Sequence, residues 1–182
     1  EEALGGEGFS DIVLATGSGG TVAGVALGNH LTRHGARVWA FGACDSPSWH
    51  HSFIDRQILP FLLPSEGPHV GLHSEDLAEI RNAKNRGYAE SAPEELETVR
   101  RVAMRTGVLL DPVYSGKAFH RFEQILRESP ESFGKRVLYW HTGGIFGLWD
   151  KQAELLAMLD SERHGDFLGP GGVAPLFGAE DA

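Results

Sequence analysis

Residues 11–24 read DIVLATGSGGTVAG. The stretch Asp11–Thr16 is a short apolar run bounded by polar residues and glycine, which predicts a buried strand. Gly17-Ser18-Gly19-Gly20 predicts a tight turn. Residues 21–34 (TVAGVALGNHLTRH) carry small residues on a packing face and stop at Gly35, which predicts a helix. Residues 37–43 (RVWAFGA) predict a second strand. Strand, helix and strand in that order make a βαβ unit, and such a unit implies a parallel sheet. The expected fold class is therefore α/β, a parallel sheet flanked by helices.

Beyond this unit the chain reads as mostly helical. Residues 48–63 predict an aromatic and aliphatic helix that Pro60 breaks or kinks. Ser74 predicts a cap on a helix over 75–84. Ser91-Ala92-Pro93-Glu94 predicts a capping box opening a helix over 93–106, closed by Gly107. Val108-Leu109-Leu110 has the character of a short strand, and residues 116–128 of another helix. Residues 136–141 (RVLYWH) predict a late strand running into Thr142-Gly143-Gly144 and a helix over about 145–162. From Gly165 onward the chain is rich in Gly and Pro and reads as a loose tail over 165–182. Residues 1–164 are expected to form one α/β domain portion.

Composition narrows the function. Lys and Arg number 16 against 25 Asp and Glu, a formal charge of −9. A nucleic-acid or anionic-membrane surface would need a basic field instead, so neither partner is expected. Hydrophobic content of 41% with 23% charged residues is that of a globular chain. The single cysteine, Cys44, forms no internal disulfide, which points to a reducing, cytoplasmic setting. No apolar run approaches the roughly 20 residues of a membrane helix. The first residues, EEALGGEG, lack the basic and apolar segments of a signal peptide and an initiator Met. The chain is thus expected to begin inside a longer protein.

Twice a hydrophobic strand enters a glycine-rich turn and then a helix. In open α/β sheets, ligands bind outside the carboxyl ends of the strands, so both turns are expected on that edge. Gly17-Ser18-Gly19-Gly20-Thr21 has the makings of an anion cradle. Its glycines let backbone N–H groups approach phosphate oxygens, its hydroxyls donate, and the following helix adds its positive end. No Gly-Lys-Ser/Thr follows, so it is not a Walker loop. The third glycine of a dinucleotide fingerprint falls on Val22. Asp45 stands where a ribose-binding acid would, which keeps a nucleotide-binding, non-catalytic domain as an alternative. His141-Thr142-Gly143-Gly144 is a similar turn. Asp111-Pro112-Val113-Tyr114-Ser115-Gly116-Lys117 is a loop able to face the same edge.

Four segments in order, GSGGTVAG (17–24), NAKNRGYA (82–89), DPVYSGKA (111–118) and VLYWHTGGIFGLWDK (137–151), resemble one family of pyridoxal-phosphate enzymes. It includes D-cysteine desulfhydrase and 1-aminocyclopropane-1-carboxylate deaminase, which share the fold of the tryptophan synthase β-subunit. The resemblance covers about residues 10–155. It implies that Gly17, Ser18, Gly19, Gly20 and Thr21 hold the phosphate of pyridoxal 5'-phosphate. It implies that Tyr88 and Tyr114 line the substrate pocket, where a phenol can hydrogen-bond substrate or pass a proton to or from a reacting group. Thr142 matches the residue facing the pyridine nitrogen. Ser115 and Thr142 mark the sub-family, since the deaminases carry Glu after the pocket tyrosine and Leu in place of the threonine. A neutral hydroxyl leaves the ring a weaker electron sink. That suffices for β-elimination of a thiolate, so D-cysteine cleavage to pyruvate, ammonia and hydrogen sulfide is expected ahead of cyclopropane opening. The resemblance also implies a homodimer acting on a small amino acid.

In this family a Schiff-base lysine lies upstream of the phosphate loop. Lys84, Lys117, Lys135 and Lys151 match no such position, so the chain resembles a C-terminal half and is expected to be inactive alone. Other clusters read as structural. His30 and His34 share a helix face but have no third metal ligand, and no metal site is assigned. His50-His51 reads as a surface helix start, and Cys44 as a small buried group. Ser132-Phe133-Gly134-Lys135 fits S-x-x-K without its companion motifs. His141 orients the second turn or caps its strand.

Overall fold

The computed structural model describes residues 8–63, 66 and 69–164. The chain divides into two compact units, Glu1–Leu148 and Trp149–Ala182. The glycine- and proline-rich tail over 165–182 lies outside the described residues.

The first unit is built on a four-stranded sheet of order β3-β2-β1-β4, every pair parallel. Its strands are β1 (Asp11–Thr16), β2 (Arg37–Gly42), β3 (Glu79–Asn82) and β4 (Val137–Trp140). Helix α1 (Gly20–Leu31) joins β1 to β2. Three short helical segments follow: α2 (Pro47–Phe53), α3 (Leu59–Leu62) and α4 (Ser74–Leu77). Helices α5 (Pro93–Thr106) and α6 (Ser115–Glu128) lie between β3 and β4.

Strand alternation sorts the core into two faces. Ile12, Leu14, Val38, Ala40 and Ile80 pack with Val22, Ala23, Ala26 and Leu27 of α1 and with Ile54, Leu59 and Leu77. Val13, Ala15, Trp39 and Phe41 face the other way, onto Ala118 and Phe122 of α6 and onto Phe133. The sheet is thus sandwiched, which is how an all-parallel sheet escapes water. Asp11 is fully buried at the foot of β1. It accepts from the Trp39 indole at 2.9 Å and the Gly134 N–H at 2.7 Å and pairs with Arg37 at 2.8 Å. Burial opposes its ionisation, but these partners together with Ser10 prevail and hold it below the ordinary carboxylate range.

The helix predicted over 48–63 contains a π turn, Ile54–Ile58, in which the Leu59 N–H reaches back to the Ile54 carbonyl. Pro60 has no N–H to continue an α-helical ladder, and the wider turn accommodates the break. The helix predicted over 75–84 ends at Leu77, and Glu79–Asn82 is instead β3, an edge strand paired with Trp39–Gly42. No strand forms at 108–110, where Val108 and Leu109 are exposed and only Leu110 is buried. Ser91 is not the cap of α5, because its hydroxyl donates to the Pro112 carbonyl at 3.2 Å. The cap is Ala92, whose N–H donates to the Glu95 carboxylate at 2.8 Å. The helix predicted from about 145 begins as a 3-10 turn, Ile145–Lys151, before α7 (Gln152–His164). Within the second unit, Lys151 pairs with Glu154 at 3.2 Å.

Candidate active site

Because all four strands run parallel, their carboxyl ends share one edge. Order along the sheet reverses at β1, with β2 on one side and β4 on the other. A crevice outside the strands at such a reversal is where ligands bind. Both glycine turns lie there, as expected: Gly17–Gly20 leaves β1 and Thr142–Gly144 follows β4. Thr16 and Thr142 each stand two residues past the last paired rung, Leu14↔Trp140.

The first turn is shaped for an anion. Gly19, the N-cap of α1, has φ +87°, which a Cβ would penalise, and no acidic residue occupies the helix's first turn. A methyl at Gly19 would also lie 2.8 Å from Ile54 Cγ1. Ser18, Gly20 and Thr21 are exposed beside the free N–H groups of the helix start. Gly19→Ala is expected to weaken binding of free pyridoxal phosphate by the full-length protein about 5- to 150-fold, the equivalent of the about 1–3 kcal/mol that overpacking of this size typically costs. Titration followed by the cofactor's absorbance checks this.

The cradle is in contact with Tyr114. A methyl at Gly17 would lie 2.7 Å from Tyr114 Cε1, so the absence of a side chain lets the phenol ring close over the loop. The Tyr114 hydroxyl is 2.9 Å from that of Tyr88, and the rings meet edge-on at 5.8 Å. Burial, then the hydrogen bond and proximity of Tyr88, then Cys44 and Asp111, push the Tyr114 phenol well above its ordinary value. Tyr88 stands half-exposed above it, with 54% of its surface in water.

Asp111 holds the Tyr114 loop. One carboxylate oxygen accepts the N–H groups of Val113 at 2.9 Å and Tyr114 at 2.8 Å. The other accepts the Ser115 N–H at 2.8 Å and its hydroxyl at 2.6 Å. Ser115 is therefore buried and turned onto Asp111, whose own N–H it accepts at 2.8 Å. Asp111 also abuts the second turn, since a methyl at Gly144 would lie 2.7 Å from Asp111 Oδ2. Gly143 and Gly144 both have positive φ, and Thr142 is exposed beside them. His141 orients this turn: its Nδ1 accepts the Gly143 N–H at 3.4 Å while Nε2 donates to the Leu109 carbonyl at 2.9 Å. Tyr139 of β4, half-buried, donates to the Ser115 carbonyl at 2.8 Å, and desolvation of its phenol pushes it far above the ordinary phenol range.

The roles of Asp111 and Tyr139 go beyond what the sequence indicates, the Asp-Pro dipeptide four residues before Ser115 being the available signal for the first, whereas His141 takes the turn-orienting role expected of it. Cys44 follows β2, and its thiol reaches the Gly17 carbonyl at 3.5 Å. Burial and then Asp45 push that thiol up, which suits a packing group and not a nucleophile. His50 is not at a surface. It is fully buried against Gly42, and burial holds its pKa below the usual range. His51 binds Ser74 at 2.9 Å, and the His30 ring meets His69 edge-on. Among the described residues no three His, Cys, Asp or Glu side chains could hold a metal ion.

A parallel α/β sheet with a glycine turn at its carboxyl edge, and two hydrogen-bonded phenols beside that turn, is the setting in which α/β folds bind anionic ligands. Residues 2–143 match the family of pyridoxal-phosphate dependent enzymes. The chain is 43% identical over 152 residues to the mitochondrial bifunctional D-cysteine desulfhydrase/1-aminocyclopropane-1-carboxylate deaminase of Arabidopsis thaliana, covering 83% of this chain and 36% of that protein. It superposes on the crystal structure of an ACC deaminase homologue with TM-score 0.68 at 30% identity, covering 82% of this chain and 44% of that one. An O-ureido-L-serine synthase, at TM-score 0.50 and 19% identity over 86% of this chain and 45% of its own, shares the fold. This chain belongs to the pyridoxal-phosphate dependent enzymes, and its cofactor is pyridoxal phosphate. It spans less than half the length of these relatives. Among the described residues no helix is long and apolar enough to cross a membrane.

Proposed function

We propose that this chain supplies the phosphate-binding, substrate-facing part of a lyase that cleaves D-cysteine to pyruvate, ammonia and hydrogen sulfide. The observation that carries the reading is the Tyr114 ring lying over Gly17 while its hydroxyl bonds Tyr88. Gly17, Ser18, Gly19, Gly20 and Thr21 would hold the cofactor phosphate, and Thr142 would approach its pyridine nitrogen. Bound there, the cofactor withdraws electrons from the substrate's Cα. The overall change consumes one water per cysteine: the Cα–H, Cβ–S and Cα–N bonds break, sulfur leaves as hydrosulfide and nitrogen as ammonia, water supplies the keto oxygen, and Cβ takes up a proton to become the methyl group of pyruvate.

Tyr114 presents a protonated phenol that can hydrogen-bond the substrate or pass it a proton. Its phenol stays protonated across the physiological range because burial and Tyr88 disfavour the phenolate. It can donate to the departing sulfur, and the more exposed Tyr88 can return a proton from solvent. The nucleotide alternative gains nothing from Asp45, because pyridoxal phosphate carries no ribose. The cyclopropane deaminase reaction is the second reading, favoured by the names of the Arabidopsis relative and the structural neighbour. We also propose a homodimer, in keeping with the family resemblance.

The test uses the full-length protein, loaded with cofactor. Pyruvate and sulfide released from D-cysteine in equal amounts support the reading. Release of 2-oxobutyrate from 1-aminocyclopropane-1-carboxylate, without pyruvate from D-cysteine, overturns it in favour of the second.

A further inference from the structure

Lys117 lies on α6 with its side chain fully buried. Its ammonium donates to the Glu95 carboxylate at 2.9 Å, to the Glu90 carbonyl at 2.6 Å and to the Lys84 carbonyl at 3.1 Å. An ammonium has three N–H donors and no acceptor, so these three oxygens satisfy it completely. Glu95 is buried as well. It accepts the Ala92 N–H at 2.8 Å and the Asn85 amide at 3.2 Å.

The two carbonyls that Lys117 grips are the two ends of one loop. Residues 84–90 leave β3, carry Tyr88 and return toward α5. The loop has little regular structure of its own: a single bridge between Gly87 and Glu90, and positive φ at Asn85 and Ala89. Tyr88 is more than half exposed, so core packing does not fix its ring. Its phenol is placed by the loop backbone and by the contact with Tyr114. A neutral side chain at 117 would take one donor from each of the Lys84 and Glu90 carbonyls and leave the buried Glu95 carboxylate without its counter-charge, and buried groups so stripped are costly.

We propose that the buried Lys117–Glu95 pair is a positioning device for Tyr88. It clamps both ends of the 84–90 loop and so sets the phenol of Tyr88 against that of Tyr114. Lys117 is thus a positioning residue, and its ammonium never meets substrate. The proposal rests on the reading in which the two tyrosines serve the reaction.

The test compares Lys117→Met with the unmodified full-length protein. Amide hydrogen exchange in residues 84–91 is expected to speed up at least tenfold, while amides of β1 and β2 keep their rates. The kcat/KM for D-cysteine is expected to fall, and adding Tyr88→Phe to Lys117→Met is expected to lower it no further, because both act through the same phenol. Should Lys117→Met fail to fold, the pair Glu95→Gln with Lys117→Met leaves no unpaired buried charge, and the same loop signature is expected in it. Unchanged exchange in 84–91, or losses from Tyr88→Phe and Lys117→Met that multiply, would overturn the proposal. The exchange readout needs no turnover. A mobilised loop in a protein inactive on D-cysteine would therefore reject the proposed reaction and keep the clamp.

Discussion

Tyr114→Phe, made in the full-length protein, is expected to lower kcat/KM for D-cysteine by about 10²- to 10⁴-fold, the usual contribution of a positioned acid or base. Phenylalanine keeps the ring over Gly17, so the loop should stay closed and the melting temperature should change little. Only the hydroxyl is lost, together with its hydrogen bond to Tyr88. The same phenol sets a pH expectation. Burial and Tyr88 raise its pKa in the folded protein, so the proton is held to higher pH than in the unfolded chain. Activity should therefore show no loss from this group as pH rises through the ordinary phenol range. Fold stability carries the matching sign: the contribution is complete below that range and is lost as pH climbs above it. Tyr88→Phe removes the hydrogen bond that, after burial, does most to disfavour the phenolate, so Tyr114 should titrate earlier in that variant. A pH–rate profile of the two variants beside the parent measures both effects. A fall of less than threefold in Tyr114→Phe would remove the phenol from proton transfer.

The parts of this fold that were legible beforehand are those where local pattern and tertiary role coincide. Ile12–Ala15 is unbroken apolar sequence because both faces of a parallel sheet are covered, and the strand bounds Asp11–Thr16 match the expectation. The glycine turn after it was legible because positive φ at Gly19 and close approach at Gly17 both demand glycine. Strand β3 was not legible, because only Ile80 of its four residues is buried. Its extended form comes from pairing with β2, which no local pattern encodes. Val108-Leu109-Leu110 misled for the opposite reason: three apolar residues in a row, with no neighbouring strand to pair with. At the site, Tyr88 and Tyr114 were placed by resemblance, and the structure brings their hydroxyls together. Lys117 and Asp111 belonged to the same quoted motif, yet nothing in it showed that both side chains turn inward. Burial of a charge is decided by partners that arrive from elsewhere in the chain, such as Glu95 and the Glu90 carbonyl for Lys117.

Asp111→Ala should have the largest effect on the fold around the site. The substitution removes the acceptor for three backbone N–H groups and a hydroxyl, in a place where the carboxylate is almost wholly buried. Each buried donor left without a partner costs about 1–3 kcal/mol, and relaxation recovers part of the sum. A net loss of about 3–5 kcal/mol is expected, which places the change among the most damaging single substitutions. In the full-length protein that is a fall of several degrees in melting temperature, read by calorimetry. Asp111→Asn separates the two halves of the network. With its amide oxygen toward Val113 and Tyr114, Asn keeps those bonds and loses the ones to Ser115, so its loss should be well under that of Ala. Activity should fall further than stability explains, because the same carboxylate underlies two parts of the site. It fixes the turn that presents Tyr114, and it fills the space beneath Gly144 next to Thr142. A variant that melts early but, while folded, turns over D-cysteine at the parent rate would confine Asp111 to holding the fold.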